Sequence, residues 1–152
     1  MDKTNKITIT CADEEERVRI AMKVAELLGI HMLDIDDYIV RGSVATGDLE
    51  QPLKSEFIEK FGESLFDALE TISYIAYTKD VKEPMVLSVG NDRNEGNVEP
   101  FRKTISINVS RNDRDMSSLL SDYSVKSQKS ITSTAKKIVK LVAADERWSR
   151  DL

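Results

Sequence analysis

Hydrophobic and polar positions along this chain follow two periods, one suited to strands and one to helices, and the two alternate. Lys6–Thr10 (KITIT) is a β-branched run that predicts a strand. Asp13 then precedes EEERVRIAMKVAELLG, in which Val18, Ala21, Met22, Ala25 and Leu28 share one helical face and Gly29 stands as the stop. Ile30–Leu33 is a second short apolar run, ending in Asp34-Ile35-Asp36-Asp37, and the polar stretch Gly42–Pro52 reads as a loop. Helices are predicted over Ser55–Phe61 and Glu63–Thr78, with Ile58, Phe61, Leu65, Phe66, Leu69, Ile72 and Ala76 at core spacing. Met85–Val89 is an unbroken apolar strand of the kind buried on both faces. A loop over Gly90–Pro100, a strand over Thr104–Val109 and a helix near Asp115–Asp122 follow. The Ser- and Lys-rich segment Ser121–Thr134 has no clear period. Ala135–Trp148 closes the chain as a helix, with Ile138, Leu141 and Val142 inward and Lys136, Lys137 and Lys140 outward.

Strand–helix–strand alternation of this kind predicts an α/β fold, a doubly wound parallel sheet with helices on both faces. Its 152 residues are expected to form a single domain (1–152), long enough to bury a core without staples. The lone cysteine, Cys11, and lone histidine, His31, cannot form a disulfide framework or a Cys/His zinc site within one chain. No stretch approaches membrane-spanning length and the first residues lack an apolar signal core, so a cytoplasmic protein with no membrane partner is expected. The net charge of −5 is unevenly spread: residues 1–70 carry 8 Lys/Arg against 16 Asp/Glu, and residues 71–152 carry 14 against 11. An acidic first half disfavours nucleic acid, and it disfavours nucleotide phosphates unless basic groups are focused at one site.

Four segments, in their order and spacing, resemble the shikimate kinase family, P-loop-fold enzymes that phosphorylate a shikimate hydroxyl with ATP. VAELLGIHMLDIDDYI (Val24–Ile39) is similar to the family's helix, short strand and D-x-D turn. IEKFGESLFDALE (Ile58–Glu70) resembles its F-x-x-x-G-E-x-x-F-R-x-x-E segment, PMVLSVG (Pro84–Gly90) the strand into its triple-glycine turn, and TISINV the next strand. The resemblance implies a three-layer P-loop kinase-like fold of about five strands in the order 2-3-1-4-5. It also implies a shortened lid, because nothing between the helix around Met116 and the last helix matches the family's lid arginine.

The chemistry of the family is not matched. Its first turn is G-x-x-x-x-G-K-[ST], whose amides, lysine and hydroxyl serve the phosphates and Mg²⁺. The same junction here reads Thr10-Cys11-Ala12-Asp13-Glu14-Glu15-Glu16-Arg17, a degenerate phosphate-loop position without glycine or lysine. Asp13 or Glu14 is expected to cap the helix and fill the anion site itself. Asp67 stands where the family has its carboxylate-binding arginine, and of the triple glycine only Gly90 remains. The later substrate-binding arginine is unmatched, with Lys126 and Lys129 the nearest basic residues. By resemblance Asp34 corresponds to the acid near Mg²⁺ and Asp36 to the one that binds shikimate hydroxyls; as simple chemistry, Asp36 reads as a helix cap.

If the fold is kept, Asp34, Asp36, Asp67 and Glu70 would converge with no arginine between them. Such a cluster must bind a cation, raise a pKa or stay well solvated, so a divalent metal, an amine or a partner's Lys/Arg is a candidate occupant. The expectation is therefore a catalytically inactive kinase-like domain retained as a binding or regulatory module. It would need no cofactor and would recognise an unknown protein partner or cationic ligand, with homo-oligomerisation open. The alternative is an atypical small-molecule kinase transferring phosphate from ATP to a hydroxyl, and only that reading requires ATP and Mg²⁺.

Overall fold

The computed structural model describes residues 2–90, 98–111 and 121–152. The elements run β1 (Lys6–Cys11), α1 (Glu14–Leu28), β2 (His31–Asp34), α2 (Ile35–Ala45), α3 (Lys54–Phe61), α4 (Glu63–Lys79), β3 (Met85–Ser88), α5 (Val98–Arg102), β4 (Ile105–Ser110), β5 (Tyr123–Lys126) and α6 (Ile131–Ala144). The five strands form one sheet in the order β2-β3-β1-β4-β5, every neighbouring pair parallel. This is the strand order and fold class expected. The expected helix near Asp115–Asp122 and the shortened lid lie largely outside the described residues.

The register explains why the sheet is so apolar. On the central strand Ile7 pairs with Val86 on one side and Ile105 on the other, and Ile9 pairs with Ser88 and Ile107. Helices cover both faces, so no strand face is left for polar side chains unless they find partners. Thr8 does: its hydroxyl lies 2.6 Å from the Tyr74 hydroxyl and 2.8 Å from that of Thr104. Thr10 donates to Asn108 Oδ1 at 3.0 Å.

One core lies between the sheet and α1 with α6, built on Ile7, Ile9, Ile20, Val24, Ile107, Ile138 and Val142; the other lies under α2 to α5, built on Ile35, Phe57, Phe66, Tyr74, Leu87 and Phe101. Each large aliphatic side chain fully buried contributes about 1.5–3 kcal/mol.

Several local expectations are corrected. The inward face of α1 is Arg17, Ile20, Ala21, Val24 and Ala25, and Met22 is exposed. The stretch read as a loop from Gly42 begins as helix, because α2 continues to Ala45. On α4 the buried side chains are Phe66, Glu70 and Tyr74, whereas Leu65 and Ile72 face out, as does Phe61 at the end of α3. A fifth strand occupies part of the Ser- and Lys-rich segment, where Val125 alone is buried. Gly29 ends α1 in the left-handed region at φ 68°, which a residue with Cβ enters at a cost.

Candidate functional site

All five strands are parallel, so their C-terminal ends share one edge, and the loops there are where an α/β sheet holds its ligands. Two charged clusters occupy that edge.

The first surrounds the entry to α1. After Cys11 the chain turns through Ala12 to Asp13, whose extended backbone makes it the N-cap: its carboxylate accepts a hydrogen bond from the Glu16 amide at 2.9 Å. Arg111, just past β4, donates from Nη2 to Asp13 Oδ2 at 2.9 Å and from Nε to Glu16 Oε2 at 3.0 Å. Ser127 donates to the other Glu16 oxygen at 2.6 Å. Thus the Glu16 amide and the dipole of α1, which favour an anion at this point, already face the chain's own Asp13 carboxylate. Glu14 and Glu15 are exposed, Ala12 is exposed, and Cys11 is buried. Burial pushes the Cys11 thiol pKa up, and the neighbouring Glu16 and Asp13 carboxylates push the same way. A cleft of about 730 Å³ opens here, its charges balanced between Asp13, Glu15 and Glu16 on one side and Arg19, Arg111 and Lys129 on the other.

The second cluster is buried. Asp34 ends β2 and caps α2 by accepting from the Asp37 amide at 2.9 Å. It is Asp34, and not Asp36, that acts as the cap. Arg17, on the inward face of α1, donates from Nε to Ser88 Oγ at 2.8 Å and from Nη2 to Asp34 Oδ1 at 3.0 Å; Ser88 in turn donates to that same Asp34 oxygen at 2.7 Å. The guanidinium also lies 3.7 Å from Asp36 Oδ2, and Lys54 Nζ approaches the same oxygen at 3.5 Å while resting 4.7 Å above the Phe66 ring. Glu70 completes the group from α4. Burial, then the neighbouring Asp36 carboxyl, drives its pKa up to about 9, so it keeps its proton at neutral pH. One oxygen of Asp36 and one of Glu70 are buried without a hydrogen-bond partner. Gly90 closes over the cluster: a Cβ there would stand 2.7 Å from Asp36 Oδ2 and 3.2 Å from both Arg17 Nη1 and Glu70 Oε2.

The structure therefore brings Asp34, Asp36, Glu70 and Gly90 together but not Asp67, which is half-buried and makes no ion pair or hydrogen bond to them. The cluster expected to be free of arginine is corrected by Arg17, which sits inside it. With Arg17 and Lys54 supplying the cations and Glu70 holding a proton, the acids need no metal for charge balance. Among the described residues no group of three or more His, Cys, Asp or Glu side chains has the arrangement of a metal site. The α1 entry likewise does not fit a triphosphate with Mg²⁺, because carboxylates stand at the helix N-terminus and Arg111, among the described residues, is paired to them.

Sequence reasoning missed Arg17, Lys54, Ser88 and Arg111. Arg17 had a signal: it precedes Ala21, Val24 and Leu28 at the 3.6-residue period and so continues the inward stripe by one turn. Arg111 had a weaker one, as a cation directly after a strand whose end lies at the binding edge.

No family model matches this sequence, and no curated protein sequence does. Solved structures do match. The fold is similar to that of shikimate kinase from Acinetobacter baumannii in complex with shikimate, at TM-score 0.70 and 18% identity over 95% of this chain and 96% of that one. It is also similar to shikimate kinase from Aquifex aeolicus, at 0.68 and 16% over 91% and 96%, and to that from Bacteroides thetaiotaomicron, at 0.66 and 14% over 91% and 98%. The chain has a shikimate kinase-like α/β fold. No helix among the described residues is long and apolar enough to cross a membrane.

Proposed function

We propose that this chain is a shikimate kinase-like domain without phosphotransfer activity, retained as a binding or regulatory module. The observation that carries this reading is the Asp13 carboxylate, which caps α1 and pairs with Arg111 at the point where a kinase of this fold needs free amides and a free cation. A phosphate arriving there would meet Asp13 and Glu16 first. Two like charges about 4 Å apart repel by roughly 1 kcal/mol in water and by about 4 kcal/mol at the effective dielectric of a protein surface. Phosphoryl transfer rests almost wholly on positioning and charge neutralisation, so the loss of both removes the basis of catalysis.

The second cluster supports the same reading. Arg17 is held by Ser88 and Asp34 beneath the surface, which leaves it no freedom to follow a transferring phosphoryl group. Because Arg17 and Lys54 already answer the acids of the D-x-D turn, a protein partner is favoured over a cationic small molecule as what the domain recognises. Calorimetric titration with Mg²⁺-ATP and with ADP, each with and without shikimate, tests the reading. It predicts no saturable heat in any of the four titrations. Saturable nucleotide binding followed by turnover in a coupled kinase assay would refute it.

A further inference from the structure

The outward face of α4 is apolar where a surface helix is ordinarily polar. Leu65, Ala68, Ile72 and Ile75 are all exposed, Leu65 at 45% and Ile72 at 62%. They recur at steps of three and four along about 15 Å of helix, the spacing of a helix-pairing seam. Lys79 lies one turn past Ile75 and ends the row. By contrast α6 turns Lys136, Lys137 and Lys140 outward, as a solvated helix does. Exposed apolar residues scattered singly need no explanation, but a continuous stripe marks an interaction surface.

The stripe is its own complement. A second α4 laid antiparallel across it, with the two-fold axis midway between Ala68 and Ile72, sets Leu65 opposite Ile75 and Ala68 opposite Ile72. Each large side chain then meets a smaller or equal one, and Ala68 lets the helices approach closely at the crossing. The ends are complementary as well. Glu63 lies in the first turn of α4 and Lys79 in the last, both exposed, and neither forms an ion pair among the described residues. Antiparallel pairing brings Glu63 of each copy beside Lys79 of the other and opposes the helix dipoles, whereas parallel pairing would set like charges together.

We infer that α4 is the interface of a symmetric dimer, with a second copy of this chain packed antiparallel over Leu65, Ala68, Ile72 and Ile75. The same surface on both copies is what a two-fold interface requires. A single helix pair buries less than the ~1,200 Å² of a stable standard interface, so the association is weak and concentration-dependent. This inference does not rest on the proposed function, since the stripe lies on the face of α4 opposite Glu70.

Sedimentation velocity from micromolar to millimolar protein tests it. The wild-type chain is expected to pass from monomer to dimer and no further. Ile72→Asp, a surface change, is expected to leave the thermal melt unchanged and raise the dissociation constant more than about tenfold. Glu63→Lys is expected to weaken the dimer, and Glu63→Lys with Lys79→Glu to restore it. A wild-type monomer throughout the range would overturn the inference, as would assembly beyond a dimer or a dimer that Ile72→Asp leaves intact. Failure of the double charge swap to restore association would overturn the antiparallel arrangement.

Discussion

Two groups of carboxylates stand at the same edge of the sheet and are handled in opposite ways. At the entry of α1, Asp13 and Glu16 are near the surface and share one arginine, Arg111, which is itself 64% exposed. Beneath Gly90, Asp34, Asp36 and Glu70 are almost wholly buried and share Arg17, which is 3% exposed. The surface pairs are screened by water and add little to stability. The buried group cannot be solvated, so its weight falls on whether the chain folds. Similar residue types are thus screened by solvent at one place and dependent on buried pairing at the other.

The sharpest way to break this contrast is to remove the buried cation. Arg17→Met leaves Asp34 charged, buried and without its main partner, and is expected to cost about 3–5 kcal/mol in urea denaturation. A loss below about 1 kcal/mol would mean that Lys54 or water answers the acids instead.

Glu70→Gln probes the proton shared within the same group. In the unfolded chain Glu70 releases its proton near its ordinary pKa of 4.5, but in the folded chain it holds it up to about 9. Between those values the folded state binds the extra proton, so stability falls as pH rises, by at most about 1.4 kcal/mol per unit from this residue. Gln cannot ionise and can still donate to Asp36. The variant is therefore expected to equal or exceed wild-type stability at pH 7, and its advantage is expected to widen at pH 8. Denaturation midpoints measured from pH 5 to 8 check this. An advantage constant with pH would refute the protonated Glu70.

Gly90→Ala tests the lid of the cluster. Its Cβ would press on Asp36 Oδ2 within a rigid buried network, for an expected loss of about 1–3 kcal/mol in thermal unfolding. The smallest effect belongs to the surface group. Asp13→Ala removes the N-cap of α1 and is expected to cost about 1 kcal/mol, whereas Arg111→Ala should leave the melting temperature nearly unchanged. A larger loss for Arg111→Ala than for Arg17→Met would invert the comparison.

Much of this architecture was legible in the sequence. The alternation of β-branched runs with helical stripes, and Asp13 and Gly29 bracketing α1, follow from local rules that tertiary structure did not override. The faces of the helices were less legible. On α4 both Leu65 with Ile72 and Phe66 with Leu69 satisfy a helical period, so spacing alone could not say which side packs. The side that packs is marked by Tyr74, whose buried hydroxyl is satisfied by Thr8, and by Glu70, which burial beside Asp36 keeps protonated. Neither condition is visible before the chain is folded. The acids of the site were legible as residues, and Gly90 with them, but their cations were not. Arg17 stands one turn before Ala21 on the inward stripe of α1, a position where a charged side chain is buried only when it is paired, and its partners come from β2 and β3.

If the chain's own carboxylates hold the anion site of the fold, nucleotide finds no open amide at the entry of α1. Titrating Mg²⁺-ATP into ¹⁵N-labelled protein and following the backbone amides of residues 11–17 and 111 tests it directly. These resonances are expected to stay where they are up to millimolar nucleotide. Saturable shifts confined to the same amides would show that a phosphate displaces Asp13 and Glu16, and would contradict it.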